Sequence, residues 1–150
     1  MNDAELQRAV AIAGCCDTIA RAARLADLQQ HEAFAALFTE DAELQRPGGG
    51  WLRGRDAILA AYRERPADRL TRHLVAGTVV DLLADGQATA LSTVLLWSGQ
   101  RSDAEGPSGR PVHGPRRIGE FDDRLRRGDD GVWRIVRRQA CFVLHEGEGG

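Results

Sequence analysis

Of the four histidines, His73 has the most chemically suggestive setting. It lies in Thr71-Arg72-His73-Leu74-Val75, an alternating run that reads as the head of a strand, and it shares a face there with Val75 and Val79. A histidine among apolar neighbours needs a partner for at least one ring nitrogen. A backbone carbonyl would make it a core residue; a carboxylate would make it half of an acid–base pair. His31 opens a helix, His113 falls in a Gly/Pro-rich loop and His145 begins the tail, so these three read as solvated surface. Asp27 is the natural carboxylate. On a helical wheel it sits about 60° from the centre of the apolar stripe, nearer the core than Arg21 or Arg24. Asp27 followed three residues later by Gln30 also reads as a capping box opening a second helix, and local geometry leaves both roles open.

Arg138 shares a face with Val136, Ala140 and Phe142 on the last strand. There it is either a snorkelling edge residue or the anion-holding member of a pocket. Arg137 points the other way and reads as solvated if that face is interior. Asp123 alternates with Phe121 and Leu125, which turns it inward as well, where a salt bridge to an arginine would satisfy it. Arg101-x-Asp103 lies in a flexible stretch and reads as chance.

Helices first and hairpins afterwards must position these groups. Residues 4–28 are proline-free and alanine-rich, with Ile12, Cys15, Cys16, Ile19, Ala22, Ala23 and Ala26 on one stripe. A shorter helix is expected over 30–38, a short strand over 42–45 before the glycine turn 48–50, and a third helix over 55–65. Strands 70–83 and 88–97 flank an Asp85-Gly86 turn, and strands 117–127 and 132–144 flank a second turn at 128–131. Between the hairpins, 100–116 is a mobile Gly/Pro/Ser/Arg loop, and 146–150 a disordered tail after a single domain of 1–145. The order predicts an α+β fold with helices covering one face of a curved sheet.

Both faces of two strands are apolar. Val75, Val79 and Leu83 share one side of the first, with Leu74, Val80 and Leu82 on the other. In the last, Trp133, Ile135, Cys141 and Val143 oppose Val132, Val136, Ala140 and Phe142. Helices can cover only one face, so another subunit is expected on the second, giving an oligomer.

Composition removes whole chemistries. All 20 basic residues are arginine, so lysine Schiff bases, pyridoxal-phosphate aldimines and a phosphate-gripping lysine are excluded. Against 22 acidic residues the net charge is −2, which speaks against nucleic-acid binding. Cysteines 15, 16 and 141 have neither disulfide-framework nor zinc spacing, and no metal site is expected. No secretion signal and no apolar run of membrane-spanning length are read, which points to the cytoplasm, with the cysteines as buried small hydrophobes. Apart from Arg138, the arginines read most simply as solvated surface.

Several segments then align with a known family. Asp27 with Glu32-Ala33-Phe34-Ala35-Ala36-Leu37-Phe38-Thr39-Glu40-Asp41-Ala42 resembles the opening of the SnoaL-like families of the nuclear transport factor 2-like superfamily. Gly54-Arg55-Asp56-Ala57-Ile58 is similar to their third helix, and Thr71-Arg72-His73-Leu74-Val75 to the head of their first long strand. Gly119-Glu120-Phe121-Asp122-Asp123-Arg124-Leu125 and Asp130-Gly131-Val132-Trp133-Arg134-Ile135 are similar to their final hairpin. The resemblance covers residues 19–142. It implies a cone-shaped α+β barrel, N-terminal helices on a curved, mostly antiparallel sheet enclosing a pocket, and makes a homotrimer plausible, with a dimer as the other oligomer.

The closest branch by resemblance is that of scytalone dehydratase, the bile-acid 7α-dehydratases and hexachlorocyclohexane dehydrochlorinase. Their catalytic aspartate and histidine fall on Asp27 and His73, and the dehydrochlorinase arginine on Arg138. Ala22 and Ala26 occupy the region where the dehydratases carry tyrosines, and the second histidine of scytalone dehydratase has only Trp97 and Ser98 nearby. The resemblance implies a cofactor-independent lyase of dehydratase type, or an isomerase, on a small hydrophobic or polyketide-like substrate. His73 would move the proton, Asp27 orient it and Arg138 hold negative charge. Tyr62, Trp97, Phe121, Phe142 and Asp123 are the expected substrate-binding residues. Two alternatives accompany this reading: a polyketide cyclase using Asp123, and a non-catalytic ligand-binding module like the β subunit of ring-hydroxylating dioxygenases.

Overall fold

The computed structural model describes residues 1–147. Helix α1 spans Asp3–Asp27 and opens with a capping box in which the Asn2 side chain accepts from the Glu5 N–H and Glu5 returns to the Asn2 N–H. Its Cys15, Ile19, Ala22, Ala23 and Ala26 are buried, as the predicted stripe requires. Small residues let this helix lie close on the sheet. A side chain at Gly14 would run into the Trp133 indole, and Thr18 Oγ1 donates to the Trp133 carbonyl at 2.7 Å. Burial pushes the Cys15 thiol up to about 12, with Cys16 adding to the effect, so it behaves as a small hydrophobe.

Helix α2 is a single turn, His31–Ala35, and Phe38 already belongs to strand β1, Phe38–Gln45. The expected helix over 30–38 is therefore too long. Phe38 pairs with Ile135 in a parallel ladder, and burying that ring in the sheet outweighs the helical spacing of its neighbours. The Gln30 side chain makes no capping bond, and Gln29 sits at φ +54. Strand β2, Trp51–Arg53, and helix α3, Arg55–Arg63, follow.

Strands β3 (Arg69–Leu82), β4 (Gln87–Gln100), β5 (Arg117–Arg127) and β6 (Trp133–His145) complete a six-stranded sheet of order β2-β1-β6-β5-β4-β3. Only the β1–β6 pairing is parallel. The sheet curves around the helices without closing, leaving β2 and β3 as edges. Phe34, Phe38, Ile19, Leu44, Ile58, Leu125 and Ile135 are fully buried between the layers. Each such side chain contributes about 1.5–3 kcal/mol of transfer free energy.

Two bulges correct the predicted faces. In β3, Gly77 at φ +60 and Thr78 together oppose Ser92, so the alternation reverses there. Thr71, His73 and Val75 consequently share the inner face with Val80 and Leu82, whereas Val79 and Leu83 are exposed. In β6 the register shifts around Val136, which puts Trp133 and Ile135 on the same inner face as Arg138, Ala140 and Phe142. Simple period-2 counting assigned these two groups to opposite sides.

The stretch 101–116 is tied down. The Asp68 carboxylate accepts from the Ser102 N–H and hydroxyl, the His113 N–H donates to the Ser98 carbonyl, and His113 pairs with Asp103 at 2.5 Å. Of the expected disordered tail, Glu146 pairs with Arg116, and residues 148–150 lie outside the described residues. No described helix is long and apolar enough to cross a membrane.

Candidate active site

A cavity of about 570 Å³ opens between α1, α3 and the inner face of the sheet, within the size range of small-molecule sites. Of the predicted pair, His73 lines it and Asp27 is hydrogen-bonded to His73. Asp27 is the last residue of α1, and Gln29 just beyond donates from Nε2 to the Pro66 and Arg69 carbonyls, each at 3.0 Å. This fastens the helix end to the start of β3. Because β3 is an edge strand, its outward N–H groups have no neighbouring strand, and Asp27 takes one of them.

Asp27 is 2% exposed and accepts three hydrogen bonds. Thr71 Oγ1 donates to Oδ1 at 2.8 Å and the His73 backbone N–H to Oδ2 at 2.8 Å, and His73 Nδ1 lies 2.6 Å from Oδ1. An ionised carboxylate can only accept, so Nδ1 carries a proton. In the neutral ring, Nε2 is then the basic nitrogen, and among the described residues it has no hydrogen-bond partner on the side that lines the cavity. The capping reading of Asp27 is overturned: its oxygens are committed to β3 and none reaches α2.

Arg138 is 3% exposed, with Nε and Nη2 donating to the two Asp123 oxygens at 2.7 and 2.8 Å. The two residues face each other across β5 and β6. The guanidinium also stacks 4.0 Å from the Phe121 centroid, and Phe121 lies 6.4 Å from the His73 ring. Phe121 thus separates the base from the cation, and both border the cavity. Arg138 keeps one terminal nitrogen without a hydrogen-bond partner among the described residues.

The structure divides the expected substrate-binding set. Tyr62, Phe121 and Phe142 line the cavity. Asp123 does not: it is fully buried behind Arg138, with both oxygens occupied. Trp97 does not either. On β4 the residues Ala88, Ala90, Ser92, Val94 and Leu96 are buried, so Trp97 falls on the opposite, outer face beside Arg116. Arg137 points away from the cavity and stacks on Trp51 at 4.4 Å. His31, expected at the surface, instead has a buried Nδ1 without a partner.

Three kinds of residue escaped sequence reasoning. Thr71 orients Asp27, and its position two residues before His73 on one strand was the available signal. Arg46, Arg65, Arg69 and Arg117, all counted as solvated, line the cavity. Their clustering depends on three separate loop and helix ends meeting, which no local pattern records. Glu64 and Glu120 also border the cavity, but neither is within ion-pair distance of these arginines.

The SnoaL-like domain model matches residues 7–139. Among solved structures, a scytalone dehydratase-like protein from Novosphingobium aromaticivorans superposes with TM-score 0.77 at 22% identity, covering 100% of this chain and 93% of that one. A type 2 hexachlorocyclohexane dehydrochlorinase gives TM-score 0.80 at 18% identity, covering 97% and 94%. A nuclear transport factor 2-like protein with a cystatin-like fold, also from N. aromaticivorans, gives 0.74 at 27% identity, covering 93% and 86%. Among curated proteins, no sequence matches.

Proposed function

This chain belongs to the SnoaL-like domain family, and on that premise we propose that it is a cofactor-independent lyase or isomerase whose base is His73. The observation that carries the reading is the Asp27–His73 pair, with Nδ1 held by a buried carboxylate and Nε2 facing a substrate-sized cavity. In the proposed reaction Nε2 removes a proton alpha to a carbonyl, and Asp27 stabilises the imidazolium that results. The free Arg138 nitrogen faces the negative charge that develops on the carbonyl oxygen. The imidazolium then returns its proton, to a leaving hydroxyl in an elimination or to carbon in an isomerisation. Two of the structural relatives bear names of eliminations, a dehydratase and a dehydrochlorinase, which supports the first outcome.

A cyclase that relies on Asp123 is disfavoured, because that carboxylate has no path to a substrate. The test is turnover of a panel of β-hydroxyketones, followed by the absorbance of the enone formed. His73→Gln is expected to abolish turnover while the thermal melt stays cooperative. Full activity in that variant would sink the proposal.

A further inference from the structure

His73 and the Asp123-paired Arg138 line the cavity, and a second group of arginines lines it as well. Arg46 follows β1, Arg65 follows α3 and Arg69 opens β3, and all three border the cavity. None forms an ion pair with a carboxylate among the described residues. Nor, among the described residues, does any of the three side chains donate a hydrogen bond to the protein.

Arg65 is the best anchored. Its guanidinium carbon lies 4.1 Å from the Tyr62 ring centroid. Phe34 stacks on Tyr62 at 4.2 Å and 29°, which takes one face of the ring and leaves the other to Arg65. The Arg46 guanidinium is 5.7 Å from the same centroid. Burial lowers the pKa of Arg65 and the nearby charges of Arg69 and Arg46 add to this, against opposing effects of Tyr62 and Asp27. Two like charges around one aromatic ring, with a third acting on Arg65 from Arg69, form an unfavourable arrangement in the empty site, since Arg65 is partly desolvated and makes no ion pair among the described residues.

The geometry points to a substrate bearing a terminal oxyanion, a carboxylate or a phosphate, seated at Arg46, Arg65 and Arg69 with its reacting carbon beneath at His73. This deepens the proposed function and rests on it for the position of the reacting carbon. Guanidinium groups suit either oxyanion through paired N–H donors, and the preformed Tyr62–Arg65 stack means little side-chain ordering on binding.

Calorimetric titration with 2-naphthoate, 2-naphthyl phosphate and the neutral 2-naphthamide tests it and distinguishes the two oxyanions. At least one anion is expected to bind about tenfold or more tightly than the amide, because charge-assisted hydrogen bonds are the stronger kind. That preference should shrink in Arg65→Gln. It should also shrink in Arg69→Gln, where the exposed side chain makes loss of folding an implausible cause. Equal affinity for the amide, an unchanged preference in both variants, or no binding of either anion at millimolar concentration would each overturn the proposal. His73→Gln separates the two readings. It should keep the anion preference, so a preference that survives alongside full turnover in that variant would condemn the catalytic reading alone.

Discussion

Asp27 performs three tasks with two oxygens: it holds the Thr71 hydroxyl, satisfies an edge-strand N–H and fixes the His73 tautomer. Replacing it with Asn keeps the volume but introduces an amide donor where only acceptance works. For Asp27→Asn we expect kcat to fall by about 10²–10⁴-fold. Stability should drop by about 1–3 kcal/mol, since one buried donor loses its acceptor. Steady-state kinetics and urea unfolding check the two parts separately, and a variant that lost stability alone would mark Asp27 as purely structural. The Arg138–Asp123 pair follows a different logic. Both members are buried, so removing either would leave an uncompensated charge, and this explains why Asp123 is not available for chemistry of its own.

At the level of elements, the β3 bulge decides which residues face the cavity. Gly77 takes the left-handed conformation that inserts one extra residue opposite Ser92, and Thr78 Oγ1 then meets Ser92 Oγ at 2.9 Å. A β-branched residue is strained at that φ, so Gly77→Val is expected to cost about 1–2 kcal/mol. Chemical denaturation would show a lower midpoint with unchanged slope; an unchanged midpoint would mean the bulge tolerates a side chain. The bulge also explains one of the two face errors in reading the strands, the other arising at the β6 bulge around Val136. His73 and Val75 precede the β3 bulge and share a face as read, while Val79 and Val80 follow it and exchanged faces. Helix α2 shows the same principle in another form: Phe38 had helical spacing, yet pairing with Ile135 drew it into β1.

On the scale of the whole molecule, the helices cover the inner face of the sheet and leave the outer one open. Leu74, Val79, Leu91, Trp97 and Leu144 are all exposed there, each by 41% or more. The expected homo-oligomer, a trimer or dimer, would bury this row against a further copy of the chain. Sedimentation of the native protein should therefore show a multiple of the chain mass, and Leu91→Glu should shift it toward the monomer. A monomer at micromolar concentration would remove the expectation. Because the outer face lies on the far side of the sheet from the cavity, Leu91→Glu also separates assembly from catalysis.

Composition, helical periodicity and strand alternation determined the α+β class, the order of helices before hairpins and the long first helix, read over 4–28 and found over Asp3–Asp27. These depend on neighbours within a few residues, which a single chain records directly. The choice for Asp27 between helix cap and histidine partner was decided only in three dimensions, by contact with residues 44 and 46 positions away. So was the fate of the arginines. In the sequence Arg46, Arg65 and Arg69 look like the other surface cations, and only the folding of β1, α3 and β3 around one cavity brings them together. A charge's role depends on which other charges approach it and how much water remains, and both are set by long-range packing.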